Sequence, residues 1–440
     1  MEETGKVFIK TFGCQMNVYD SEKIMAYLDD RYIEAASEDE ADLILLNTCS
    51  VRGKAEQKVF SMIGRFKPLK DLNPELIIAV GGCVAQQEGQ GILDRSPLVD
   101  LVFGTHNIED LPDLLDERIR KGKRVCRIIE ESDKVTSAQA PSRAVVSKPA
   151  RLVTIMKGCD NFCAYCIVPF VRGREISRPS VEIISEVESL VENGALEITL
   201  LGQNVNSYRD PESGDDFTDL LEKVDSIHGL SRLRFVTSHP KDFSVELINA
   251  MASLETVCEH IHLPLQAASD RVLGGMKRSY TLNEYRSKVA ALRDAIPNVE
   301  LTSDIIVGFP GEKRSDFDKT MSFLSEIRYQ NVFSFRFSPR PGTAASRLED
   351  SVPERVKKGW LPELQHLQSE ITARKHEDLL GSTLEVLVEG TGKKENGMLE
   401  GRTRNNFIVH FPGSEDMIGS LTNVKVNRSG KIHLESEVVK

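Results

Sequence analysis

The chain has 440 residues, of which 40% are hydrophobic and 28% charged, a globular composition too long for one ordinary core, so two or three domains are expected. Its 56 basic against 67 acidic residues leave a net charge of −11, which excludes bulk-charge coating of nucleic acid but not a local basic groove. No run of about 18 apolar residues occurs, and the start MEETGKVFIK lacks the basic end and apolar stretch of a signal peptide, so a cytoplasmic chain with no membrane partner is expected. Eight cysteines in a reducing compartment favour metal or redox chemistry over disulfides.

From Lys6 to about Asp116 the runs VFIKTF, ADLILLNT, ELIIAVGG and LVDLVFG alternate with helical patterns, which predicts an open parallel α/β domain over 1–117. Cys14, Cys49 and Cys83 each stand at the carboxyl end of one of these strands. Such ends share one edge of a parallel sheet, where open α/β folds bind ligands. Gly13 and the pair Gly81-Gly82 would permit the close backbone approach of a bulky group; three independent buried thiols are the other reading. Residues 118–149 form an expected linker, with a basic start (Arg118, Arg120, Lys121, Lys123, Arg124, Arg127) and a Ser-, Ala- and Lys-rich remainder. The basic run reads as a solvated helix end or as an RNA-facing strip.

Over 150–376 six strand–helix units are expected, with strands RLVTIMK, ALEITLL, RLRFV, CEHIHL, ELTSDIIV and NVFSFRF, as in a partial (βα)6 barrel. The loops after them are the cysteine run, GQNVNS, TSHP, PLQAAS, GFPGE and SPRPGT, and barrels of this kind converge such loops on one face. The cysteine run, KGCDNFCAYCIVP, spaces Cys159, Cys163 and Cys166 three and then two residues apart. Three thiolates can hold three irons of a four-iron cluster and leave the fourth open to bind a molecule. A closed zinc shell or a ferredoxin run would add a fourth ligand, and none lies nearby. Cys126 and Cys258 lack such placement and are read as non-ligands.

From 377 to 440, runs such as TLEVLVEG, IVHF and NVKV between Gly and Asn turns predict a small all-β barrel. With ten acidic and eight basic residues it is not basic by composition. Its GRTRNNF stretch groups Arg402, Arg404 and Phe407, either as an RNA contact or as a strand edge with solvated arginines.

With both cysteine triplets placed, the chain resembles the radical S-adenosylmethionine (SAM) methylthiotransferase family, in particular the MiaB type that modifies tRNA. The stretches TFGCQMNVYDSE, NTCSVRGKAEQKVF, KGCDNFCAYCIVP, GQNVNSY, FSPRPGTAA and GRTRNNF carry the likeness. It covers essentially the whole chain: a methylthiotransferase amino-terminal domain, a radical SAM core and a TRAM domain that binds RNA. The resemblance implies two 4Fe-4S clusters. Cys159, Cys163 and Cys166 would bind the one whose open iron chelates SAM, and Cys14, Cys49 and Cys83 an auxiliary one that presents sulfur. It implies methylthiolation at C2 of N6-isopentenyladenosine at position 37 of tRNA; the related enzymes act on a ribosomal-protein aspartate or on threonylcarbamoyladenosine. The C2–H bond is neither acidic nor electrophilic, so radical chemistry from a cofactor is required. An electron donor such as flavodoxin or ferredoxin and a monomeric chain are expected, with the sulfur source undetermined.

Within that frame Tyr165, Gln203, Asn204, Ser238, Gln266, Asp304 and Arg336 stand at or near the loops after the strands and are candidate SAM contacts. Arg172, Arg174 and Arg178, just beyond the cysteine run, are candidates for gripping anticodon phosphates, with surface pairing to Glu175 as the alternative. His239, before Pro240, is read as satisfying a turn rather than acting as a base.

Overall fold

The computed structural model describes residues 4–50, 55–130, 148–392 and 397–439; residues 131–147, most of the expected linker, lie outside the described residues. Two compact units emerge: Met1–Val146 with Met156–Asn161 and Cys166–Arg178, and Ser147–Ile155 with Phe162–Tyr165 and Pro179–Lys440. The segment after Cys166 thus belongs to the first unit, and the C-terminal barrel shares the second with the (βα) core.

In the first unit, β1 (Gly5–Thr11), β2 (Tyr32–Glu34), β3 (Leu43–Thr48), β4 (Ile77–Gly82), β5 (Leu101–Phe103) and β6 (Val125–Arg127) form a parallel sheet ordered β2-β1-β3-β4-β5-β6. Burial on both faces explains the unbroken apolar runs of β3 and β4. Ile44, Leu46, Ile78 and Val80 enter one core and Leu43, Leu45, Ile77 and Ala79 the other. The four strands read from sequence are all present. Short β2 and β6 were not expected, and β6 carries the domain past residue 117. The basic run is the end of the helix Leu111–Lys121 plus β6, tied down locally: Arg118 pairs with Asp100 at 2.8 Å and Arg127 with Glu117 at 2.8 Å. Two short strands, β8 (Met156–Lys157) and β9 (Ile176–Ser177), pair antiparallel in this unit.

The second unit contains the six expected parallel strands: β7 (Ala150–Thr154), β10 (Glu197–Leu201), β11 (Arg232–Phe235), β12 (His260–His262), β13 (Glu300–Val307) and β14 (Asn331–Arg336). They pair as β11-β10-β7 and β12-β13-β14, joined through the Leu233–Val257 bridge, a half-barrel in chain order. The helix Glu354–Glu377 then leads to β15 (Thr383–Thr391), β16 (Met398–Thr403), β17 (Ile408–Pro412), β18 (Leu421–Ser429) and β19 (Leu434–Val438), a closed barrel ordered β15-β16-β17-β19-β18 around Val386, Val388, Val409, Phe411 and Val424. Closure removes free sheet edges. No helix among the described residues is long and apolar enough to cross a membrane.

Candidate functional site

In the first unit the sheet order puts β1, β3 and β4 side by side, so Cys14, Cys49 and Cys83 follow three adjacent strands. The strand order reverses between β1 and β3, the switch point where open α/β sheets bind ligands. Cys14 is the N-cap of the helix Gln15–Leu28, and Cys83 begins the helix Cys83–Glu88. Gly13 has φ +114°, and a Cβ there would lie 2.3 Å from the Cβ of Cys49 and 2.7 Å from its Sγ. Only glycine lets the two cysteines meet. Gly82, at φ +87°, plays the same part beside Thr48, whose carbonyl oxygen would stand 2.4 Å from an added Cβ.

A polar lattice holds this edge. Asn17 Nδ2 donates to the Thr48 carbonyl at 2.8 Å, and Asn47 Nδ2 donates to the Asn17 carbonyl at 2.8 Å and to Ser21 Oγ at 2.9 Å. Arg172 Nη2 donates to Asp20 Oδ2 at 2.6 Å, both side chains being buried. A hydrogen bond from Cys49, with the nearby Arg172 charge, holds the Cys14 thiol down at about 6 against the opposing effect of burial. Burial pushes the Cys83 thiol up, and Arg172 opposes it. Cys83 packs with Ile167 and Val171. A low-pKa thiol, two further thiols at the same edge and a nearby cation form a donor set suited to an anionic thiolate cluster. Among the described residues no three His, Cys, Asp or Glu side chains converge on one metal ion; a four-iron cluster spreads its thiolates over separate irons, a different geometric demand.

In the cysteine run, Cys159 N–H donates to the Gly173 carbonyl at 3.2 Å and Asn161 Nδ2 to Cys159 Sγ at 3.3 Å, both within the first unit. Cys163, in the second, accepts from Arg278 Nη1 at 3.5 Å. Three of the six described non-glycine residues with positive φ lie in the loops that follow the strands. Phe162, Thr237 and Gln266 have φ of 44°, 70° and 70°, which for non-glycine residues costs about 1–3 kcal/mol each and is typical of functional loops.

The candidate SAM contacts divide. Gln203 Oε1 and Ser238 Oγ, in the loops after β10 and β11, are buried with no hydrogen-bond partner among the described residues. Such atoms fit the polar ends of a ligand. Asn204, by contrast, is committed: Nδ2 donates to Asp242 at 2.8 Å and Oδ1 accepts from His239 N–H at 3.0 Å, bracing one loop against the next. Arg336 pairs with Glu354, and Asp304 lies 3.5 Å from His262 Nε2. Gln266 bridges to β13 through its backbone, and Tyr165 is half-buried near Arg278. His239 Nδ1 accepts from Lys241 N–H at 3.2 Å, the expected turn bond, and burial lowers its pKa to about 2.

The structure gives most of the RNA candidates other occupations. Arg172 is sequestered with Asp20, and Arg178 is 1% exposed, so neither guanidinium can reach a phosphate. Arg174 is exposed and pairs with Asp160 at 2.8 Å. Phe407 is 6% exposed inside the C-terminal barrel and meets His376 edge-on, so its ring cannot stack on a base. Arg404 donates to Glu259 at 2.9 Å and to the Val257 carbonyl at 2.7 Å, while Arg402 pairs with Glu389 at 3.1 Å. From below, Arg234 donates to the Arg404 and Thr403 carbonyls at 2.8 and 2.7 Å and pairs with Glu197 at 2.9 Å. GRTRNNF is therefore the dock between the small barrel and the amino ends of the core strands, opposite the loops that carry the site.

Sequence reasoning missed Asn17, Asp20, Arg278 and His106. Asn17 and Asp20 lie three and six residues after Cys14, on its side of one helix, a spacing that could have flagged them. His106 is buried with neither ring nitrogen bonded among the described residues, and burial lowers its pKa to about 4; nothing local in the sequence marks it.

Three family models match the chain: uncharacterized protein family UPF0004 over residues 6–104, the radical SAM superfamily over 153–324 and the TRAM domain over 377–439. Among curated relatives, proteins named tRNA-2-methylthio-N(6)-dimethylallyladenosine synthase are 50% identical in Syntrophotalea carbinolica, over 95% of this chain and 96% of that one. The protein of that name from Moorella thermoacetica is 46% identical over the full length of both. Among solved structures, the radical SAM methyltransferase TsrM from Kitasatospora setae aligns with a TM-score of 0.57 at 14% identity, covering 78% of this chain and 77% of that one. The cobalamin-dependent SAM radical enzyme OxsB aligns with a TM-score of 0.54 at 12% identity, over 83% of this chain and 56% of that one. At these identities the structural likeness speaks to the fold alone.

Proposed function

The chain belongs to the tRNA-2-methylthio-N(6)-dimethylallyladenosine synthase family of radical SAM enzymes, and from that membership we propose how its own residues divide the work. The reaction is SAM-dependent methylthiolation of C2 of N6-isopentenyladenosine at position 37 of tRNA, with two 4Fe-4S clusters as cofactors. When bound, one cluster supplies the electron that cleaves SAM to a carbon radical able to attack C2–H, and the other presents the sulfur.

Cys159, Cys163 and Cys166 hold the first cluster, and Cys14, Cys49 and Cys83 the second. The observation that carries this assignment is the meeting of Cys14 and Cys49 permitted by Gly13, with Cys83 ending the next strand. Gln203 Oε1 and Ser238 Oγ, both without a protein partner among the described residues, would accept from the SAM ammonium and bind its ribose. Asn204 holds the Gln203 loop in place. Strained Thr237 and Gln266 fix the loops around them. Arg174 remains exposed to meet an anticodon phosphate. A flavodoxin or ferredoxin supplies electrons to a monomeric, cytoplasmic enzyme.

Mass spectrometry of tRNA from a strain lacking this chain tests the activity. Isopentenyladenosine should accumulate without its methylthio group, and an unchanged nucleoside profile would refute it. Reconstituted enzyme should likewise modify an isopentenylated anticodon stem-loop and leave a ribosomal-protein substrate untouched.

A further inference from the structure

The turn Gly274–Tyr280 carries an arginine whose surroundings are unusual. Arg278 is 8% exposed, and its guanidinium is fully directed: Nε donates to Tyr280 Oη at 3.0 Å, Nη2 to the Pro264 carbonyl at 2.8 Å and Nη1 to Cys163 Sγ at 3.5 Å. Tyr280 is itself fixed, its hydroxyl donating to the Leu265 carbonyl at 2.8 Å. Backbone bonds set the register between the turn and the cysteine loop. Ala164 N–H donates to the Met276 carbonyl at 2.9 Å, and the Ala164 carbonyl accepts from Ala345 N–H at 2.7 Å.

Among the described residues no carboxylate pairs with Arg278. A buried guanidinium without a counter-ion is costly, and proteins place such cations against an anion. The Cys163 thiol lies within hydrogen-bonding reach of it, and the tyrosines Tyr165 and Tyr280 stand nearby. Buried Arg172, in the other unit, shows the contrast, since Asp20 neutralises it directly. The side chain placed to supply that anion is Cys163, 3.5 Å from Nη1, which would be a thiolate when it ligates iron.

We propose that Arg278 is a positioning residue for the SAM-binding cluster, which it serves by donating a charge-assisted hydrogen bond to the Cys163 thiolate and so raising the cluster's reduction potential. The inference rests on the assignment of Cys163 as a cluster ligand. Reduction adds negative charge to a site whose three thiolates already make it anionic, and a fixed buried cation favours the reduced state. Hydrogen bonds to cluster sulfurs are a recognised control on potential. Arg278 thereby eases electron delivery to SAM without touching SAM.

The test uses the full chain in a Cys14→Ala background, which isolates the radical-generating cluster, with EPR-monitored redox titration of anaerobically reconstituted protein. Arg278→Met should lower the equilibrium constant for reduction at least tenfold, about 59 mV for a one-electron couple, while SAM affinity changes less than threefold. Arg278→Lys should recover part of the shift, because a cation is restored without the fork. Tyr280→Phe keeps the arginine but removes its Nε acceptor; it should shift the potential in the same direction by less, and it decides the matter if Arg278→Met fails to assemble a cluster. An unchanged potential with a tenfold loss of SAM affinity would mean that Arg278 binds the SAM carboxylate instead. Unchanged potential with a lower melting temperature would reduce it to a packing residue. Failure of the Cys14→Ala protein itself to hold about four irons would instead overturn the cluster assignment.

Discussion

Arg172, six residues beyond Cys166, donates its guanidinium to Asp20 at 2.6 Å, 152 positions earlier in the chain. The segment Cys166–Arg178 is thereby part of the unit that carries Cys14, Cys49 and Cys83. Ile167 and Val171, packed with Cys83, make the same connection through apolar contact.

That pair is buried, so removing one partner leaves an uncompensated charge. Arg172→Met should destabilise the first domain by about 3–5 kcal/mol, read by hydrogen exchange in the helix Gln15–Leu28. Combining Asp20→Asn with Arg172→Met should recover at least half of the loss; additive losses in the double variant would show that the two side chains act separately.

Gly13→Ala would place a Cβ inside contact distance of Cys49. Iron content after reconstitution should fall from about eight to about four per chain, with SAM cleavage retained and methylthiolation lost. A full complement of iron in this variant would show that the two strand ends can part without losing the site.

The cysteine sets should separate by function. Cys159→Ala is expected to abolish SAM cleavage measured as 5′-deoxyadenosine, whereas Cys14→Ala leaves cleavage in place and stops sulfur insertion. Equal loss of both activities in both folded variants would contradict the division of labour.

The GRTRNNF dock predicts stability effects rather than RNA effects. Arg234→Ala leaves Glu197 buried without its closest partner and should cost about 3–5 kcal/mol, followed by urea unfolding of the single tryptophan, Trp360. Arg404→Ala should weaken the dock while changing stem-loop affinity less than threefold. A tenfold loss of RNA affinity with stability intact would restore Arg404 as an RNA contact.

Glu312 caps its own loop, accepting from Gly308 and Phe309 N–H at 2.5 and 3.1 Å. Burial pushes its pKa up to about 7 from an ordinary 4.5. The folded chain therefore holds a proton that the unfolded chain releases between these values, and stability falls as pH rises through that window. Relative to Glu312→Gln, the wild type should lose roughly 2–3 kcal/mol between pH 5 and pH 8; parallel profiles would show the carboxylate to be ionised throughout.

The sequence by itself determined the elements and the chemistry. Apolar period, Gly punctuation and cysteine spacing are local signals, so β1, β3, β4 and β5 of the first sheet, the six strands of the half-barrel and the placement of all six cysteines after strands were legible, as was the family. What the arginines do was decided by tertiary structure alone. Arg172, Arg178, Arg402 and Arg404 sit in basic, polar stretches that read as exposed, yet they are wholly or partly withdrawn from water, several by partners far away in the chain: Asp20 for Arg172, Glu259 for Arg404. A guanidinium carries the same charge in any context. Whether it faces a phosphate, a carboxylate or a cluster thiolate depends on which distant strand end folds beside it, and no local pattern encodes that.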